Sequence, residues 1–159
     1  MEEAFFSQKE IELLKELHNN QVQFIVVGLV AATLQGAPVV TQDIDLWFYD
    51  LNAPDFIKSI KNVGAVYVPP IGMNPPMIGG EDFELFDIVI HMHGLKSFSE
   101  EYNNTIKMKV NGILLHILPL ERIIVSKQAL NRDKDKYVLP VLKDVLLAKK
   151  EKENLEKES

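Results

Sequence analysis

No cysteine occurs among the 159 residues, which excludes disulfide bonds, thiolate metal ligands and a cysteine nucleophile from any account of this chain. No uninterrupted apolar run approaches the roughly 20 residues that a membrane span requires. Positive charge is scarce: 17 Lys and Arg against 23 Asp and Glu leave a net charge of −6. That balance speaks against broad, sequence-independent binding to nucleic acid and leaves room only for a local basic patch. The opening MEEAFF carries acid where a secretory leader carries base, so no signal peptide is expected and a cytoplasmic location is the default. With 47% apolar and 25% charged residues, the composition is that of an ordinary globular protein, long enough to bury a core. One domain over 1–150 and a charged tail over 151–159 are expected, with no repeats.

What is present is concentrated in Phe24 to Phe48, FIVVGLVAATLQGAPVVTQDIDLWF. It reads as a buried strand, a glycine turn, a short helix stopped by Gly36, and a second strand carrying Asp43 and Asp45. Side chains in a strand alternate faces, so the two carboxylates point the same way, roughly 6–7 Å apart. Paired acids on an otherwise apolar strand are costly unless a cation or a set of donors lies between them. A hard divalent ion such as Mg²⁺ prefers such oxygen ligands. A solvated strand face is the plain alternative. Trp47 and Phe48 are expected in the core.

The rest of the chain divides readily. Ser7 and Glu10 have the spacing of a capping box, and Ile11, Leu13, Leu14 and Leu17 follow at helical intervals to about Asn19. Val22 to Val27 reads as a strand and Val30 to Gln35 as a short helix. A helix is expected from Asp50–Pro54 to about Asn62, then a strand over Ala65 to Val68. Breakers at Pro69, Pro70, Gly72, Pro75, Pro76, Gly79 and Gly80 predict a long irregular loop. Phe83 to Met92 reads as a strand with Leu85, Asp87, Val89 and His91 on one face. Gly94 to Tyr102 reads as irregular or a helical turn. Asn111-Gly112 marks a hairpin over Thr105 to Leu118. Helices over Leu120 to Leu130 and Tyr137 to Lys149 complete the order, and the tail is expected to fray. His91 and His93 have a chelating spacing, but regular strand geometry keeps His91 about 13 Å from Asp87, and chance spacing is the preferred reading.

The apolar strand followed by Gly28, Ala31, Gly36, Thr41, Asp43 and Asp45 resembles the opening of nucleotidyltransferases of the DNA polymerase beta superfamily. The nearest likeness is to small bacterial proteins related to the AbiEii toxins and to minimal nucleotidyltransferases. It spans roughly Val22 to Leu142. Leu29 stands where that family keeps a second small residue, and Val39 where an Arg is common.

The resemblance implies an α+β, nucleotidyltransferase-like fold: a mixed sheet of four to six strands with helices packed mainly on one side. It implies Mg²⁺-dependent transfer of a nucleoside monophosphate from a nucleoside triphosphate to a hydroxyl, releasing pyrophosphate. Two Mg²⁺ would be held by Asp43, Asp45 and Asp87, with Asp87 as the third acid of the set. Gly28 would let the phosphates approach, or simply serve a tight turn. Thr41 would bond the phosphates or close its loop. Lys127 and Arg132, in SKQALNRDKD, resemble the family's Lys-x₄-Arg-x-x-Asp pattern. Both would then belong to the nucleotide site, Lys127 through a direct contact and Arg132 through a structural pair with Asp135; a solvated helix end with i,i+3 ion pairs is the plain alternative. The acceptor is left open among a tRNA end, a protein side chain and a small molecule. The alternative is a degenerate copy that binds nucleotide or a protein partner without catalysis, including as a toxin–antitoxin component.

Overall fold

The computed structural model describes residues 5–158; the acidic start at 1–4 and Ser159 lie outside the described residues. The protein is α+β, built on a mixed five-stranded sheet. Helix α1 (Gln8–Asn19) opens with the expected capping box, Ser7 and Glu10 each accepting from the other's backbone. Strand β1 (Phe24–Val27) is buried along its whole length and leads directly into α2 (Gly28–Leu34). β2 (Ile44–Phe48) returns antiparallel to β1, pairing Val27 with Asp45. α3 (Pro54–Asn62) and the short β3 (Val66–Val68) follow.

The stretch expected to be an irregular loop instead contains β4 (Met77–Gly79), which pairs antiparallel with β3. Prolines at 69, 70, 75 and 76 fall outside both strands, so none removes a ladder donor. A 3-10 turn over Glu81–Phe83 precedes β5 (Phe86–Val89). This strand is shorter than the expected span to Met92. Its partner β2 supplies rungs only from Ile44↔Phe86 to Trp47↔Val89, and pairing stops where they stop.

α4 (Phe98–Tyr102) precedes the hairpin of β6 (Ile106–Val110) and β7 (Ile113–Ile117). Asn111 and Gly112 have φ of 50° and 79°, the positive pair that a type I′ turn needs. β7 lies parallel to β1, giving the strand order β5-β2-β1-β7-β6.

Adjacent residues of β2 carry packing on opposite faces of the sheet. Phe48 meets Phe56 of α3 at 4.8 Å between ring centroids, and Trp47 meets Phe98 of α4 at 5.3 Å. α1 and α3 pack against each other. α4 is tied to α5 (Leu120–Leu130) by a two-pronged ion pair, Arg122 donating to Glu101 at 3.0 and 2.6 Å. Burial raises the Glu101 carboxyl, but the hydrogen bonds from Arg122 and the Lys96 backbone, with the charges of both residues, together outweigh it and the net shift is downward.

The last helix differs from expectation at both ends. α6 runs over Asp133–Glu158 without fraying at Lys149, although it contains Pro140. The tail alternates Lys and Glu at helix-favouring intervals, Lys149 with Glu153 and Glu153 with Lys157 among them, and these residues are good helix formers. Among the described residues no helix is long and apolar enough to cross a membrane.

Candidate functional site

The turn from β1 into α2 places the first piece. Gly28 has φ +70°, and a Cβ there would collide with the Asp45 carboxylate Oδ2. Glycine is therefore required twice over, by backbone conformation and by the approach of one side chain. We expect Gly28→Ala to cost about 2 kcal/mol, combining left-handed strain with displacement of Asp45. Urea unfolding of Gly28→Ala in an Asp45→Ala background separates the two. There the cost should fall to about 1 kcal/mol, and an undiminished cost would mean the carboxylate contributes nothing.

Asp45 and Asp87 are direct partners across the parallel β2–β5 ladder. This register, rather than spacing along one strand, brings the acids together. Asp43 precedes β2 instead of lying on it, and its side chain is exposed. Asp45 is half-buried, and its carboxyl is pushed up to about 6, first by burial and then by repulsion from Asp87 and Asp43. Asp87, although open to the cleft, is also raised, by desolvation and by Asp43. A proton shared between the two carboxyls favours the protonated form of Asp45 and the ionised form of Asp87.

These acids line one part of an open cleft of about 440 Å³. Leu29 and Thr41 lie on the same wall; Leu29 is half-buried and does not fill the space. Thr41 Oγ1 donates to the Asp43 carbonyl at 3.4 Å, which closes its own loop. Val39 packs against the core.

The facing wall comes from α5 and the start of α6. α5 ends on Asn131 in the left-handed conformation, and the chain turns so that Asp135 is buried between two cations. Arg132 grips it through Nε at 2.8 Å and Nη2 at 3.1 Å, and Lys127 Nζ lies 3.3 Å away. The expected Arg132–Asp135 pair is thus present, and Lys127 shares it. Burial raises the Asp135 carboxyl, but the Arg132 and Lys127 contacts carry it below its ordinary value. Lys127 is itself buried and near enough to Asp45 to oppose the rise there.

His91 and His93 meet edge to face at 4.8 Å and also line the cleft. They lie past the end of β5, so the straight-strand distance from Asp87 does not apply to them. Apolar lining comes from Met92, Leu130 and Val138, and Lys134 adds a cation. For Leu130, Lys134 and Val138 the only sequence signal is helical spacing along α5 and α6.

All seven residues singled out from the sequence, Gly28, Thr41, Asp43, Asp45, Asp87, Lys127 and Arg132, line this one cleft. The three acids present only oxygen atoms to the cleft, the ligand type that hard cations take. Among the described residues no group of three or more His, Asp or Glu side chains is placed to hold a metal ion. A Mg²⁺ site leaves several positions to water and phosphate oxygens. Comparison with protein-family models and with curated protein sequences finds no match for this chain.

Proposed function

We propose that the protein is a Mg²⁺-dependent nucleotidyltransferase, moving a nucleoside monophosphate from a triphosphate to a hydroxyl acceptor. The observation that carries this is the Asp45–Asp87 rung, two neighbouring carboxylates that line one open cleft with Lys127 and Arg132. Its volume of about 440 Å³ falls in the ordinary range for small-ligand sites. Two Mg²⁺, when held by Asp43, Asp45 and Asp87, would supply charge neutralisation for the triphosphate and a lowered pKa for the attacking hydroxyl.

The chain's own groups divide the remaining tasks. Gly28, at the start of α2, makes room for the Asp45 carboxylate on the cleft wall. Lys127 supplies a buried positive charge to the triphosphate, while Asp135 holds it in place. Asp87, at the open end of the pair, accepts the hydroxyl proton. The acceptor oxygen bonds to the α-phosphorus, and the bond from that phosphorus to the bridging oxygen breaks. Pyrophosphate leaves with the electron pair.

Calorimetric titration with ATP, CTP, GTP and UTP, with and without Mg²⁺, tests the reading against an Asp43→Ala, Asp45→Ala variant. Mg²⁺-dependent binding of at least one nucleotide, lost in the variant, is the expected outcome. No heat from any of the four with well-folded protein would overturn it. Binding without transfer to any acceptor would favour the degenerate module, for which Leu29 on the cleft wall and Val39 are the relevant residues.

A further inference from the structure

A second cavity, about 600 Å³, lies beside the first, and Asp87 belongs to both. Its lining comes from two short stretches of chain, 75–81 and, beyond it, Glu84 with 86–88. These stretches contain β4 and most of β5, and each strand has a partner on one side only. Among the described residues no bridge joins β4 to β5.

The alternation of backbone groups along β5 shows which ones remain open. The Leu85 carbonyl accepts from the Ile44 N–H at 2.7 Å, so the backbone of Leu85 and Asp87 faces β2. That of Phe86 and Ile88 therefore faces outward. Phe86 and Ile88 both line the second cavity. Unpaired edge groups of this kind are a template for an added strand.

Charge narrows the partner. Glu81, Glu84 and Asp87 line the groove, and no Lys or Arg does. Ile78 and Phe86 are buried there, and Met77 is exposed. Such a lining repels a polyanion and suits a basic, partly apolar chain.

We propose that this groove seats an extended basic polypeptide segment as an added strand along β5, laying it against Asp87. The groove meets the nucleotide cleft at Asp87, but the inference does not depend on the transfer reaction.

The test is ¹⁵N chemical-shift mapping with a heptapeptide of alternating lysine and valine around a central tyrosine. Shifts should concentrate at Met77–Gly80 and Phe86–Ile88. Affinity should fall at least tenfold in the Glu81→Lys, Glu84→Lys double variant, and equally when alternate peptide amides are methylated. Should the variant fold poorly, a peptide with glutamate in place of lysine makes the same charge comparison on the unaltered protein. No shift at millimolar peptide, equal binding of the methylated or acidic peptide, or displacement by single-stranded RNA would each overturn the proposal. Nucleotide titration read at Gly28 and Asp45 in the same spectra shows separately whether the cleft binds its own ligand.

Discussion

Asp45→Asn should make the metal-free protein more stable at pH 8 while lowering Mg²⁺-dependent nucleotide binding at least a hundredfold. Asp45 titrates at about 6 in the folded protein rather than its ordinary 3.8. The folded state thus holds a proton that the unfolded chain releases between those values. Stability falls as pH rises through that window, and the loss is complete above about pH 6, reaching up to about 3 kcal/mol. Asparagine is nearly the same size, never ionises, and can donate permanently to Asp87. Urea unfolding in EDTA from pH 4 to 8 should show the wild-type decline and a flatter profile in the variant. A variant that loses stability at pH 8, or keeps the wild-type slope, would show that this carboxylate is not strained. Stability gained at the expense of binding is the pattern of a functional group held in an unfavourable place.

The second large effect is expected at Asp135. Asp135→Ala removes the shared partner of Lys127 and Arg132. Arg132 is partly exposed and can turn to water; Lys127 is buried and cannot. An uncompensated buried charge costs about 3–5 kcal/mol. Adding Lys127→Met should restore most of that loss, because a buried pair replaced by apolar groups is often close to neutral. The midpoint of urea unfolding reads both variants, and a double variant no better than Asp135→Ala would place the loss elsewhere.

The candidate site was more legible in the sequence than the boundaries of the elements that build it. Asp45 and Asp87 stand out because charge inside apolar strands is expensive, whereas Asp43, which lies just outside β2, was legible only through the family-like pattern around it. Asn111-Gly112 was equally plain, since its positive φ values suit few other residues. What stayed hidden depends on partners distant along the chain. β5 looked longer because its apolar run continues, yet β2 ends the ladder at Val89. β4 was obscured by prolines that border the strands without entering them. The length of α6 was missed because its alternating charges suit a disordered tail and a solvated helix alike. His91 and His93 entered the cleft wall only because the strand stops before them.

Helix α6 begins immediately after Arg132 and reaches Glu158, with its final turns exposed. At ~1.5 Å per residue, Glu158 stands roughly 35 Å along the axis from Asp135. A tilt of about 5° at the Asp135 end would sweep the far end through about 3 Å over that length. A tilt of the whole helix at the ion cluster would thus be magnified at its far end, and a distance label at Lys157 would read it from a position that does not line the cleft.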